Sequence, residues 1–198
     1  MDVIRHEIVG DRVIHGEGTR LEEWRSCQIL QQMPEFDIPK IIPLDARVCI
    51  IAPHPDDEIL GCGGLIQRLD KLGYQIILFA VTNGTASHPG SSLYTPEELN
   101  QIRPAETRAA LEALPLKQNI LRIALDIQDG KVAEQRDVLQ QHLQSYLQPN
   151  DVLISTFVHD GHPDHEITGQ VTQQLATELH LPCIQVLIWA WHWATPGD

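Results

Sequence analysis

Short apolar runs, several of them rich in β-branched residues, alternate with segments typical of helices along most of the chain. The runs that are typical of buried strands are residues 47–52, 75–81, 119–125, 152–157 and 183–189. The segments between them that predict helices are residues 59–72, 95–114, 131–147 and 164–179. A strand–helix alternation needs crossover connections, so it predicts a mostly parallel sheet with helices on both faces. The expected fold class is therefore α/β, a Rossmann-like three-layer sandwich.

The first 45 residues differ from this pattern and predict an N-terminal extension, while residues 46–198 form the main domain. Residues 6–9 and 12–15 flank Gly10-Asp11, a pair suited to a two-residue turn. This arrangement predicts a β-hairpin, followed by a short helix.

Two sites have the spacing of a helix capping box, in which a Thr side chain and a Glu three positions later satisfy the first backbone amides. Thr19–Glu22 predicts that a helix begins there and continues to about Leu30. Thr95–Glu98 predicts the start of a longer helix, which Pro104 is expected to kink or restart.

The composition limits the function classes. The chain of 198 residues has a net charge of −13, from 27 acidic and 14 basic residues, so it repels phosphate backbones and anionic lipid surfaces. We therefore expect no nucleic-acid partner. No apolar run approaches the roughly 20 residues that span a bilayer, and the first residues lack the apolar stretch of a signal peptide. The four cysteines form no C-x-x-C pair, which favours buried, reduced thiols and a cytoplasmic location.

Two segments rich in His and Asp follow two of the predicted strands. His54–Glu58 comes directly after the first strand, and His159–His165 comes directly after the fourth. In an open α/β sheet, ligands bind beyond the carboxyl ends of the strands. Both segments are therefore predicted to lie at the same edge of the sheet and to form one site.

The residue types in these segments fit a catalytic zinc ion, which uses three protein ligands and leaves one position for water. His54 and Asp57 are three residues apart at the entrance to a helix, and His165 supplies the third ligand. Asp56 lies beside the metal and is free to act as a base. His162 is a second imidazole near the site, and Asp164 is expected to hydrogen-bond one of the second segment's rings.

These motifs resemble those of the PIG-L or LmbE-like de-N-acetylases. The A-H-P-D-D-E motif of that family stands here as Ala52–Glu58, with Pro53 inserted after the Ala, and its second motif stands as His162–His165. The similarity extends from about Val48 to Trp193. Weaker motifs of the family match Thr82-Asn83-Gly84, Arg103–Glu106 followed by Ala110, and Asp129-Gly130.

The resemblance implies a zinc-dependent hydrolase that removes an N-acetyl group from an amino-sugar conjugate. It implies that zinc is bound by the histidine and aspartate ligands named above, that Asp56 is the general base, and that His162, supported by Asp164, stabilises the transition state. Arg103 is similar to an arginine that contacts sugar hydroxyls, and the alternative interpretation is an exposed helix residue that makes a surface ion pair. Two further residues are expected near the substrate: Asp160, where some relatives have Tyr, and His192, which follows a strand at the same edge.

Two other functions remain open from the residues alone. Clustered Asp and His also suit a two-metal phosphoesterase, although such an enzyme would need further carboxylates and basic phosphate contacts. A non-catalytic sugar-binding protein of the same fold is the second alternative. The sequence is also compatible with a homo-oligomer.

Overall fold

The computed structural model describes residues 12–197 and contains one five-stranded sheet in the order β3-β2-β1-β4-β5. All four strand pairs are parallel, which confirms the predicted α/β fold class. The strands are β1 (Arg47–Ala52), β2 (Gln75–Ala80), β3 (Leu121–Ala124), β4 (Asp151–Thr156) and β5 (Cys183–Val186).

Helices connect the strands and precede the sheet. Each of the four long helices predicted from the sequence is present, and a 3₁₀ turn (Ala133–Gln135) leads into one of them. The helices are α1 (Leu21–Ser26), α2 (Gln28–Gln32), α3 (Ile38–Ile41), α4 (Asp57–Leu72), α5 (Pro96–Ala113), α6 (Arg136–Tyr146), α7 (Pro163–Leu179) and α8 (Ala190–Trp193).

Alternate residues of each central strand enter two separate apolar clusters, because successive side chains of a strand point to opposite faces. Cys49 and Ile51 of β1 pack with α6 and α7 on one face of the sheet. Val48 and Ile50 of the same strand pack with α4 on the other face, and Ile38 of α3 joins that cluster. The sheet is therefore the middle layer of a three-layer sandwich.

The last strand ends earlier than its apolar run predicted. The run continues to Trp189, but β5 ends at Val186. The backbone amides of Ile188, Trp189 and Ala190 donate to the carboxylate of Asp160, each at 3.0 Å, instead of to a neighbouring strand. A side chain distant in sequence therefore terminates the strand.

The N-terminal extension differs from its prediction. The first arm and the turn of the predicted hairpin lie outside the described residues, and residues 12–15 have no strand structure. The predicted capping box at Thr19 is wrong, because Arg20 is the residue that precedes α1 and the Thr19 hydroxyl donates to the carbonyl of Ala194. Cys27 has an extended conformation and divides the predicted single helix into α1 and α2.

The second capping box is confirmed. The Glu98 amide donates to the Thr95 hydroxyl oxygen at 3.2 Å, and the Thr95 amide donates to the Glu98 carboxylate at 2.9 Å. The helix runs from Pro96 to Ala113 without interruption, so Pro104 does not restart it. The ring of Pro104 is buried.

The structure also bears on the expectations drawn from composition. All four cysteines are free, and Cys27, Cys49 and Cys62 are buried. Within residues 12–197, no helix is both long enough and apolar enough to cross a membrane.

Candidate metal centre

The two histidine segments meet where the strand order reverses. The chain proceeds from β1 outward to β2 and β3, and then returns to the other side of β1 with β4 and β5. Loops that leave β1 and β4 therefore diverge and open a crevice at the carboxyl edge, the usual ligand position in such sheets. His54 follows β1 and His165 follows β4, and their Nδ1 and Nε2 atoms lie 3.1 Å apart. The predicted meeting of the two segments is confirmed.

Three donor atoms form a nearly equilateral triangle in this crevice. Asp57 Oδ2 lies 3.4 Å from His54 Nδ1 and 3.2 Å from His165 Nε2, which closes the triangle with the 3.1 Å separation of the two nitrogens. A tetrahedral zinc with bonds of about 2.1 Å has ligand atoms about 3.4 Å apart. The three side chains are between 1% and 11% exposed, so these atoms are directed into a shielded space. The triangle therefore fits a tetrahedral metal ion.

The outward nitrogens of both imidazoles face carboxylates. His165 Nδ1 lies 2.8 Å from Asp160 Oδ2. His54 Nε2 lies 3.1 Å from Asp129 Oδ1 and 3.3 Å from Asp164 Oδ2. Each outward nitrogen therefore has a carboxylate partner for its proton, which leaves the inward nitrogen to supply a lone pair when a cation replaces the proton there. Both rings are thus held in the orientation that a metal ligand requires.

The surrounding charges favour a bound cation. Burial lowers the pKa of His54, but hydrogen bonds to Asp129, Asp164 and Asp57 outweigh it and raise that pKa to about 11. Burial raises the pKa of Asp57, but hydrogen bonds from the two histidines dominate and the net pKa is lowered. The carboxylates around these rings therefore stabilise positive charge in the crevice.

His162 also belongs to this cluster. One ring nitrogen from each of His54, His162 and His165 lies within 4.8 Å of the others, so His162 is an alternative metal-ligating residue. Its Nδ1 accepts the backbone amide of Asp164 at 3.2 Å, which leaves the proton of the neutral ring on Nε2. Burial and the neighbouring His54 and His165 lower the pKa of His162 to about 4.

The Asp164 carboxylate does not take the place predicted for it, beside an imidazole of its own segment. Its oxygens face His54 Nε2 and accept the backbone amides of Gly130 and Val132, at 2.7 and 3.2 Å. The prediction that Asp164 supports His162 through its side chain is therefore wrong, because this carboxylate is directed toward His54 and toward the backbone of residues 130–132.

Asp56 lies beside the triangle at the start of α4, in a left-handed backbone conformation with φ of 117°. Non-glycine residues adopt such angles rarely and mainly where surrounding contacts enforce them, often at functional sites. Its side chain is 56% exposed, so it faces the open side of the crevice. Partial burial and the adjacent charge of Asp57 raise the pKa of Asp56, which suits a proton acceptor.

Arg103 lies beside Asp56 and makes three contacts within the protein. Its Nη2 donates to the carbonyl of Pro55 at 2.6 Å and to Asp56 Oδ2 at 3.0 Å, and its Nη1 donates to the carbonyl of Gly84 at 3.3 Å. The guanidinium therefore ties α5 to the loop that carries the first histidine. The predicted alternative of an ion pair is present, with Asp56 as the partner, and the contact with sugar hydroxyls stays a prediction.

A comparison with known protein families identifies the family of this chain. The family model of PIG-L, described as GlcNAc-PI de-N-acetylase, matches residues 49–176, a range that includes both histidine segments. The chain belongs to the PIG-L family.

Two curated relatives support this membership. The diacetylchitobiose deacetylase of Thermococcus kodakarensis is 29% identical over 127 residues, which cover 62% of this chain and 46% of the relative. The probable N-acetyl-alpha-D-glucosaminyl L-malate deacetylase 2 of Bacillus cereus is 28% identical over 142 residues, covering 69% of this chain and 63% of the relative. The chain thus spans less than two thirds of the length of either relative.

A solved structure has the same fold. The N,N'-diacetylchitobiose deacetylase from Pyrococcus horikoshii, in complex with an inhibitor, aligns with a TM-score of 0.56 and 26% identity. The alignment covers 80% of this chain and 59% of the other.

Two residues that were predicted to contact substrate, Asp160 and His192, make contacts within this PIG-L protein. Asp160 is fully buried, and its carboxylate accepts three backbone amides in addition to facing His165. It is therefore a buried partner of His165 and does not reach the space where a substrate would lie. His192 lies in α8, where its ring packs against Gly18 and its carbonyl accepts the amide of Thr19. His192 therefore packs against the N-terminal extension.

One site residue was not assigned from the sequence. Asp129 follows β3 at the same edge, and the D-G motif was noted without giving its carboxylate a role. It is 9% exposed, faces His54 Nε2 and accepts the amide of Ala86 at 2.6 Å. Its position after a strand at the carboxyl edge was the available signal.

His54, Asp129 and Asp164 form a second group that could hold a metal ion. Their geometry suits hydrogen bonding better, because the carboxylates of Asp129 and Asp164 already accept backbone amides and share the proton-bearing nitrogen of His54. This arrangement favours a single metal over the two-metal site of a phosphoesterase.

Proposed function

We propose that this PIG-L protein is a zinc-dependent hydrolase that removes an N-acetyl group from a substrate containing an amino sugar. The observation that carries the proposal is the triangle of His54, Asp57 and His165 with the partly exposed carboxylate of Asp56 beside it. The names of the two curated relatives, both deacetylases of N-acetylated sugars, support the substrate class.

The donor set suits zinc, because two imidazoles and one carboxylate with an open fourth position are the usual ligands of catalytic zinc sites. A zinc ion held by these residues would lower the pKa of a water molecule toward 7 and polarise the acetyl carbonyl. Both imidazoles are already oriented by Asp160, Asp129 and Asp164, so the site needs little rearrangement to bind the ion.

Asp56 acts as the general base in this proposal. Arg103 holds Asp56 Oδ2, so Oδ1 is the oxygen that accepts the proton of the attacking water. The raised pKa of Asp56 makes it a better proton acceptor than an ordinary aspartate. The same carboxyl group then returns the proton to the departing amine.

His162 acts as a hydrogen-bond donor to the oxygen that becomes negative when the carbonyl is attacked. Its Nδ1 accepts the Asp164 amide, so Nε2 carries the proton and donates it in a hydrogen bond as a neutral imidazole. Its lowered pKa, about 4, is consistent with the neutral form. Loss of such a donor costs about 10²–10³ in turnover.

Metal analysis combined with acetate release tests the proposal. The purified protein is expected to bind one zinc per chain and to release acetate from N,N'-diacetylchitobiose or N-acetylglucosamine. Asp56→Asn is expected to retain zinc and lose turnover by about 10²–10⁴, whereas His54→Ala loses the metal.

Two controls match these variants in chemistry but lie away from the crevice. Asp137→Asn, on the exposed first turn of α6, and His142→Ala, on the exposed face of the same helix, should change neither zinc content nor acetate release. Turnover that survives Asp56→Asn, or sugar binding without acetate release by the zinc-loaded protein, would sink the proposal.

A further inference from the structure

The N-terminal segment, residues 12–26, begins against residues 157–166, which comprise the loop after β4 and the first turn of α7 and include His162 and His165. This segment precedes the part of the chain that the family model matches. At one end, Arg12 Nη1 donates to Glu166 Oε1 at 2.5 Å, across 154 positions of sequence. At the other end, Trp24 contacts α8. The extension is therefore built onto the loop that follows β4.

The Glu166 side chain links the start of α7 back to the loop that precedes it. Its Oε1 accepts the backbone amide of Gly161 at 3.1 Å in addition to the Arg12 guanidinium. Gly161 comes directly before His162 and Glu166 comes directly after His165. A single carboxylate oxygen therefore joins the two ends of the segment that supplies both imidazoles, and Arg12 is the cation that neutralises it.

Gly161 shows how closely the extension packs on the loop. A Cβ atom at this position would lie 3.0 Å from Ile14 Cγ2, 3.1 Å from the carbonyl oxygen of Arg12 and 3.1 Å from Trp193 Cδ1. Its φ of +97° also favours glycine. The backbone next to His162 is thus covered by residues 12–14 on one side and by α8 on the other.

The far end of the extension reaches the same loop through α8. The Thr19 amide donates to the His192 carbonyl at 2.9 Å, and Trp24 Nε1 donates to the Trp191 carbonyl at 3.0 Å. The two indole rings pack edge to face with centroids 5.0 Å apart. The amides at the start of α8 bind Asp160, the residue that orients His165.

We propose that Arg12 is a positioning residue for the metal centre and acts through Glu166 on the loop of His162 and His165. The inference rests on the proposed function, since it assumes that His165 binds zinc. The Arg12 and Glu166 side chains are 28% and 22% exposed, so their ion pair is partly shielded from water. Without Arg12, hydration favours turning the Glu166 carboxylate toward solvent. That movement releases the Gly161 amide and loosens the loop.

Zinc affinity and hydrogen exchange test this role independently of catalysis. In the full chain, Arg12→Ala is expected to raise the Kd for zinc about tenfold when measured by competition with a chromophoric chelator, the lower end of the effect of losing a direct partner of a metal ligand, because Arg12 acts one contact further out. It should also accelerate amide exchange in residues 158–166 of the zinc-free protein. Arg12→Lys, which keeps the positive charge, should restore most of the affinity.

Two comparisons make the test specific. Arg25→Ala removes the same charge from an exposed position of the same segment and should change neither readout. In a Glu166→Gln background, where the amide acceptor remains but the charge is gone, Arg12→Ala should have little further effect.

The outcomes separate this proposal from the proposed function. Unchanged zinc affinity and unchanged exchange in Arg12→Ala, or equal changes in Arg25→Ala, would overturn it whatever happens to thermal stability. Wild-type protein that binds zinc but releases no acetate refutes the deacetylase activity and leaves the Arg12 result valid. If wild-type protein binds no zinc, the exchange measurement alone decides the role of Arg12 in holding the loop.

Discussion

Gly169 is the position where one added methyl group should disturb the site most. It lies in α7 one turn after His165, and a Cβ atom there would be 2.4 Å from the carbonyl oxygen of Thr156, the last residue of β4. Ordinary contacts begin at 3.4 Å, so the helix must retreat by about 1 Å. The hydrogen bond from the Thr156 hydroxyl to the His165 carbonyl, now 2.9 Å, would lengthen by a similar amount.

Gly169→Ala should therefore destabilise the protein and impair turnover together. Overpacking costs about 1–3 kcal/mol and the weakened hydrogen bond about 1 kcal/mol, while the helix propensity of Ala returns about 1 kcal/mol. We expect a net loss of about 1–3 kcal/mol. Because His165 moves with the helix, acetate release should fall by about 10²-fold, a typical effect of a 1 Å misplacement.

Urea unfolding and steady-state acetate release measure the two effects. Gly64→Ala is the matched control, because a Cβ atom at Gly64, within α4, would meet nothing within 4 Å among the described residues beyond its chain neighbours and the adjacent backbone of its own helix. That variant should be more stable than wild type by about 0.5–1 kcal/mol. A Gly169→Ala protein with wild-type stability and turnover would show that the approach of α7 to β4 does not constrain the site.

Three further substitutions probe separate parts of the fold. Asp160→Asn should weaken zinc binding by about 10–100-fold in chelator competition, because an amide cannot replace the charge that orients His165; unchanged affinity would contradict the role given to Asp160. Asp151→Asn breaks a bidentate ion pair with Arg47 and should lower the free energy of unfolding in urea by about 3 kcal/mol, since Asp151 is 1% exposed; a loss below 1 kcal/mol would refute this. Thr95→Ala removes one arm of a capping box and should cost about 1 kcal/mol in the same assay, with Thr95→Ser near wild type.

The triangle of His54, Asp57 and His165 could be predicted from the sequence because its assembly depends on a topological rule. Strand–helix alternation implies a parallel sheet, and both histidine segments follow strands of that sheet. Polar residues after β1 and β4 must then meet at one edge, whatever the detailed packing. The same rule would have indicated Asp129, which follows β3.

The roles of the surrounding side chains could not be predicted in this way. Arg103 was expected to contact a sugar or to form an ion pair, but the sequence did not indicate that its guanidinium would donate to Pro55, Asp56 and Gly84. Asp160 was expected near the substrate, but it terminates β5 and orients His165. Apart from the contact between Asp160 and His165, each of these contacts joins residues more than 15 positions apart. Local spacing in the sequence does not encode which distant backbone group a side chain will meet.

The sequence by itself determined the α/β fold, the edge of the sheet at which the site lies and the residue types that can bind zinc. These features follow from hydrophobic periodicity and from the alternation of strands and helices along the chain, which are local properties. Only the tertiary structure decided which carboxylate faces which imidazole, and therefore which nitrogen of His54 and His165 is free to bind a metal. It also placed the N-terminal extension on the loop after β4, through Arg12 and Glu166. These choices depend on the packing of segments distant in sequence, where burial leaves each polar group only the partners that the fold brings within reach.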